Sequence, residues 1–409
     1  MAKPKLALIP ASQGTKLYSV LPADGVGDFN FSRNSAATRI NKDGLIETVA
    51  SGVSRLNYPL IDGVVNGCPS HLLEPERLQK IQYSEDFSQG YWTKSGATVV
   101  SGFTSPDGTT NAFKLVEGTG SSNHRIDRAI TGLSSGATVT LSLYAKSAER
   151  NKVSILEVST NTGCFFDLDN LTITNEFGGA PLSSSITELS NGWRRVSITV
   201  IIPLTSARFI SHIVSGTTSV YTGDGTSGVY IYGAQLEEGS FPTSYIPNYG
   251  TSAGITRSAE TANGAGDAST FNDSEGVLMA EISALANDGT YKQIGIGNGV
   301  IGNEINISYD STANRISVVY RVGSSYPVNL FVIGNSSTEL NKIVFKYKAN
   351  DFAFWLNGIK QSVNTTNSTM ISGLNNLKFA SGSGASNFYG NTKQIQYFDS
   401  ALNDSDLEK

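Results

Sequence analysis

Three groups of residues in this chain have types and spacings suited to chemistry. In the run DFAFWLNG (351–358), a period of two puts Phe352, Phe354 and Leu356 on one strand face and Trp355 on the other. An outward-facing indole at 355 can stack on a sugar ring; covered by another strand or subunit, it only packs. Tyr91 and Trp92 raise the same alternative, because adjacent strand residues point to opposite sides and one of the pair should face out. Trp193, after Asn191-Gly192, reads as core.

The second group is carboxylates. Sandwich modules of the lectin type often hold a structural calcium between sheet ends, which makes Asp107 and Glu238 candidate calcium ligands. Asp167 and Asp169 share one face of FFDLDN (165–170), a pairing that suits calcium binding or acid–base work as well as a plain strand end entering a turn at Asp169-Asn170, the reading favoured here. The third group is Arg33 and Arg39 in FSRNSAATRINKDGLIETV (31–49), closed by Asp43-Gly44, a strong hairpin signal. A first strand carrying this positive charge reads as either a docking element or a strand at an exposed edge. As exposed edge charges the two arginines would block aggregation.

Catalytic patterns fail on context. Gly132-Leu133-Ser134-Ser135-Gly136 fits G-x-S-x-G, but a strand follows where a nucleophile elbow needs a helix. Gly297 to Gly302 fits G-x-G-x-x-G and is again followed by a strand. Both read as turns. Strand acids in the last third (Glu281, Glu304, Asp310) do not form an E-x-D-x-x-E row. Cys68 and Cys164 have no CxxC partner and are expected as free thiols, and the three histidines show no ligand spacing. No enzymatic activity is expected, and no cofactor beyond the candidate calcium.

The elements that must carry these residues are strands. Charged residues make up 16% of the chain and glycines number 42 of 409, a composition that suits many turns and polar, uncharged outer faces. A net charge of −5 without basic runs argues against nucleic-acid binding. No apolar stretch approaches the ~20 residues of a membrane span. The opening MAKPKLALIPASQG has too short an apolar core for a signal peptide and is read as mature protein.

Residues 1–75 hold too little apolar material for a large core of their own and are expected to pack on a neighbour, either the next domain or another subunit. Residues 76–249 carry regularly spaced strands, among them ATVTLSLYA (137–145), WRRVSITVII (193–202) and SGVYIYGAQL (227–236). Residues 250–275 are small and polar and read as a linker. A second strand series fills 276–409, including NEINISYD (303–310) and RISVVYRV (315–322), and ends in a short helix capped at Asn403 or Asp404. The predicted fold is all-β: two antiparallel β-sandwich, jelly-roll domains in tandem after a small N-terminal hairpin region.

Two segments, FSRNSAATRINKDGLIETVASGVSRLNYP (31–59) and LLEPERLQKIQYSEDFSQGYW (72–92), resemble a passage recurrent in bacteriophage head-fibre and tail-fibre proteins. The middle segment is similar to the carbohydrate-binding-module-type jelly roll of such proteins, through SPDGTTNAFKL (105–115), LSLYAKSAER (141–150), NGWRRVSITV (191–200) and GDGTSGVYIYGAQLEEGSFPTSYIPNYG (223–250). The last segment resembles laminin-G-like, concanavalin-A-type sandwiches through NKIVFKYKANDFAFWLNGIKQSV (341–363) and IQYFDSALNDSDLEK (395–409). The resemblance implies a virion-surface structural protein, a head fibre or a tail fibre or spike. It would be a homotrimer contacting other virion proteins of capsid or tail and displaying domains that bind host-surface glycans. Residues 1–75 would be its attachment or oligomerisation region, with Arg33 and Arg39 making inter-subunit or inter-segment contacts to carboxylates or backbone carbonyls. The alternatives are a glycan depolymerase or glucanase on a concanavalin-A-like scaffold, and a purely structural capsid decoration.

Overall fold

In the computed structural model, which describes residues 3–21, 25–175 and 177–408, the chain is all-β, and every count below refers to those residues. Alternation of apolar and polar side chains builds two antiparallel sandwiches in tandem. In the first, one six-stranded sheet centres on Gly228–Glu238 and Thr138–Ser147, and the other on Ser206–Val214 and Lys152–Glu157. Val139, Leu141 and Leu143 point inward from one sheet and meet Ile155, Phe166 and Phe209 from the other, all fully buried. Each such side chain contributes on the order of 1.5–3 kcal/mol by leaving water. Cys68 and Cys164 are both free thiols.

The second sandwich packs an eight-stranded sheet on a nine-stranded one. The order of the larger sheet places Phe29–Ser32, Thr261–Ala265, Asn376–Lys378, Lys292–Gly297, Glu304–Tyr309, Arg315–Val322 and Ser325–Ile333 side by side. In the smaller sheet, Gly390–Phe398 pairs with Glu275–Ala284 on one side and with both Leu6–Leu8 and Ser70–Leu73 on the other.

The sheets therefore cross the boundaries expected at 75 and 275, and those boundaries require correction. The N-terminal segment is not a separate attachment unit: Leu6, Leu8, Leu17, Phe29 and Phe31 are buried in the C-terminal core. Nor is 250–275 a bare linker. Ile255–Arg257 pairs with Arg77–Gln79, and Thr261–Ala265 lies between Phe29–Ser32 and Asn376–Lys378. The physical reason is that the short apolar runs of residues 1–75 cannot close a core alone, so they complete one formed by residues far away in sequence.

The hairpin read from Asp43-Gly44 joins Ala37–Ile40 to Ile46–Val49. Gly44 has φ +77°, and the Asn41 side-chain oxygen accepts the amide protons of Asp43 and Leu45, which tightens the turn. Its Ile46 packs into a cluster with Tyr144, Leu189, Trp193, Tyr232 and Tyr245 of the first sandwich. The chain ends in the helix Asp404–Leu407 with Asn403 at its N-cap.

Candidate functional site

The aromatic candidates lie elsewhere than at a sugar-binding surface. Trp355 is 0% exposed. Its strand face is roofed by Leu407 of the terminal helix together with Leu402 and Phe398, and Lys346 and Lys360 place their ammonium groups 5.6 and 5.2 Å from the ring centre. Trp92, 2% exposed, sits against Phe87 and Phe209 and donates its indole N–H to the Tyr83 carbonyl at 3.0 Å. Tyr91 is half-buried, and one face of its ring is taken by the Arg128 guanidinium at 4.0 Å. The period-two rule placed Trp355 opposite the Phe face correctly; a terminal helix then covered it.

The calcium pair does not converge. Asp107 Oδ1 accepts the Thr109 amide at 2.8 Å, and Oδ2 accepts the Tyr232 hydroxyl at 3.2 Å. Glu238 takes the Ser134 amide at 3.0 Å and the Ser134 hydroxyl at 3.2 Å. Tyr232 and Glu238 lie on one strand six positions apart, about 20 Å at the rise of an extended chain. No single ion can be shared across that span, and both carboxylates serve as turn and loop anchors. Among the described residues, no group of three or more His, Cys, Asp or Glu side chains is arranged to hold a metal.

Arg33 and Arg39 separate into two roles. Arg39 pairs with Glu47 across the hairpin at 2.7 Å, partly exposed. Arg33 turns inward to Glu260 at 2.6 Å and to the carbonyls of Ser35, Val49 and Ala50. It belongs to a buried cluster with Arg55, Arg257, Glu74 and Glu260. Burial alone would raise the Glu74 carboxyl, but the guanidinium groups of Arg257 and Arg55 and two hydrogen bonds from Ser244 outweigh it and hold the group at about 2. A cleft of about 390 Å³ opens beside this cluster, lined by hairpin residues such as Ile40 and Ile46, by Tyr144 and Arg195, and by Leu285.

The most developed polar site lies on the outer face of the nine-stranded sheet. NEINISYD alternates so that Ile305, Ile307 and Tyr309 enter the core while Glu304, Asn306, Ser308 and Asp310 point outward. On the neighbouring strand, Ser308 faces Ser317, Asn306 faces Val319 and Glu304 faces Arg321. These residues floor a groove of about 410 Å³ walled by Tyr291, Gln293, Tyr326, Asn329 and the loop Ser381 to Ser386. Outward polar side chains of a sheet usually stand in open solvent. Here Glu304, Asn306, Ser308, Asp310 and Ser317 are all buried at the groove floor.

The floor is held by its own hydrogen bonds. Glu304 accepts the Ser383 amide at 3.0 Å and pairs with Arg321 at 3.2 Å. Asn306 Oδ1 accepts the Gly382 amide at 2.9 Å, and Gln293 donates to the Ser308 hydroxyl at 2.9 Å. Asp310 pairs with Arg315 at 2.9 Å. Burial pushes the Glu304 carboxyl upward, but hydrogen bonds from Ser383, Asn306 and Arg321 more than offset it, so it sits below the usual carboxylate range. The guanidinium planes are fixed too: Arg315 lies 3.9 Å from the Phe331 ring centre and Arg321 4.9 Å from that of Tyr326. The result is a rigid, charge-compensated row of amides and hydroxyls with exposed tyrosines beside it. Such a surface can hydrogen-bond a polyhydroxyl ligand and stack on its apolar ring faces.

The sequence points to these strands and to Glu304 and Asp310, but its candidate sugar-binding residues are Tyr91, Trp92 and Trp355. The usable signal was the four-fold outward run of Glu304, Asn306, Ser308 and Asp310 beside Arg315, Ser317 and Arg321.

No protein-family model matches the chain, and no curated protein matches it. Among solved structures it is similar to the CBM40 of a Ruminococcus gnavus IT-sialidase bound to α2,3-sialyllactose, at 17% identity over 36% of this chain and 85% of that one, with a TM-score of 0.31. It is also similar to domains LG4-5 of the mouse laminin α1 chain, at 9% identity over 76% of this chain and 96% of that one, with a TM-score of 0.24. For a Trypanosoma rangeli sialidase in complex with sialic acid the values are 12%, 99%, 96% and 0.28. No helix among the described residues is long and apolar enough to cross a membrane.

Proposed function

We propose that this chain is a virion-surface structural protein of a bacteriophage, a head fibre or a tail fibre or spike, and that its C-terminal sandwich binds host-surface glycans. The observation that carries the glycan reading is the walled polar groove over Glu304, Asn306, Ser308 and Asp310, with Tyr291 and Tyr326 exposed at its edges. The virion assignment rests on the resemblance of residues 31–59 and 72–92 to head- and tail-fibre segments. In a homotrimer, three weak sites multiplied over many copies per particle give adhesion through avidity.

Hydrolysis at this groove is disfavoured on geometry. Glu304 and Asp310 lie on one extended stretch six positions apart, about 20 Å. Glycosidase carboxylates stand roughly 5–9.5 Å apart. Both acids are also committed to arginines.

The test is electron microscopy of intact particles labelled with an antibody against residues 276–409, combined with glycan-panel binding by the purified chain. Label on particles with glycan binding supports the reading. Unlabelled particles sink the virion assignment, and released sugar fragments would replace adhesion by catalysis.

A further inference from the structure

Resting on that glycan-binding reading, we infer the class of glycan: a linear, uncharged oligosaccharide segment lying along the strand Glu304–Tyr309 and clamped by one tyrosine at each end. Three observations support this. First, the groove is long. From Glu304 to Asp310 the floor runs about 20 Å, more than a single sugar ring needs. Second, its aromatic walls are at opposite ends. Tyr291 immediately precedes Lys292, which pairs with Tyr309, so it stands at the Asp310 end. Tyr326 lies under the guanidinium of Arg321, which pairs with Glu304, so it stands at the other end. They are 49% and 54% exposed, and both line the groove.

Third, the charges are spent internally. The groove holds Glu304, Asp310, Arg315 and Arg321, two of each sign, in two ion pairs. With each arginine balanced by a carboxylate beside it, the groove presents no net positive charge to draw an acidic sugar, and Glu304 and Asp310 repel one. Between the pairs lie Gln293, Asn306, Ser308 and Ser317, which offer neutral donors and acceptors to hydroxyl groups.

The experiment is calorimetric titration of the full chain at low and high salt. The probes are malto-, cello- and chito-oligosaccharide ladders from disaccharide to hexasaccharide, with size-matched hyaluronan and heparin fragments alongside. The expected result is affinity that climbs with chain length in one neutral ladder and is indifferent to salt. Tyr291→Ala and Tyr326→Ala should each weaken the longest ligand about tenfold, and because both side chains are exposed the variants should fold normally. Tighter, salt-dependent binding of the acidic fragments would overturn the neutral class while leaving a glycan-binding protein. Neutral binding unchanged in the double tyrosine variant would overturn the groove assignment in the same way. No binding of these probes, with binding elsewhere on the glycan panel, would overturn this inference and leave the glycan reading; no binding on the panel either would remove both.

Discussion

Arg33 and Glu260, 227 residues apart in the chain, meet at 2.6 Å with both side chains fully out of solvent. Glu260 also receives Arg55 and the Glu74 amide, while Glu74 holds Arg257 and both the amide and hydroxyl of Ser244. The cluster thus ties the N-terminal segment, the end of the first sandwich and the entry to the second into one polar knot. Removing one member of a buried ion network strands its partners without compensation. Glu260→Gln is therefore expected to cost about 3–5 kcal/mol, read as a lowered urea midpoint. A midpoint within error of wild type would show that the arginines find equal partners without it.

Acid stability should follow two buried histidines. Burial pushes both His71 and His212 down from 6.5 to about 4, His212 with help from the Arg125 charge. Both are neutral when folded, so on acidification the unfolded chain binds protons first. Their contribution is whole above about pH 6.5 and is lost as pH falls towards 4, on the order of 3 kcal/mol for each. Urea unfolding at a series of pH values should show this decline, and His71→Phe should remove one proton from the slope. Stability flat across that window would contradict it.

Trp355 offers a separable test of stability and binding. Its ring fills the space between Val277, Val344 and Leu407. Trp355→Ala should cost about 3–5 kcal/mol, seen as a lower melting temperature, yet leave glycan affinity unchanged below that temperature. Selective loss of sugar binding in a normally stable variant would return the site to this tryptophan.

Much of the fold was legible because period-two alternation is local: Val139, Leu141 and Leu143, or Ile305 and Ile307, declare their buried face within a single strand. What alternation cannot express is which strand lies beside which. Leu6–Leu8 pairs with Gly390–Phe398 across nearly the whole chain, and nothing in LAL specifies that partner. The same gap hid the covering of Trp355, because whether its face meets solvent depended on a helix about fifty positions later. The groove was half legible. Its floor is written in NEINISYD, but its wall is a Ser- and Gly-rich loop whose sequence reads only as a turn.

That wall depends on a missing side chain. At Gly295 an added Cβ would collide with the Asn306 side-chain oxygen, the Gly382 amide and the Ile305 carbonyl, two of which are backbone. Only glycine lets the loop Ser381 to Ser386 come down onto the sheet and deliver the Gly382 amide to Asn306. Gly295→Ala should therefore force the loop outward at a cost of about 1–3 kcal/mol. Because the loop forms one side of the groove, glycan affinity should fall with it even in protein that remains folded. Gly120→Ala is the control: nothing lies within 4 Å of its added Cβ, and stability should change by less than about 0.5 kcal/mol. Calorimetric titration beside thermal unfolding reads both effects. If Gly295→Ala binds sugar as the parent does while losing stability, the loop is scaffolding alone and the ligand rests on the sheet without it.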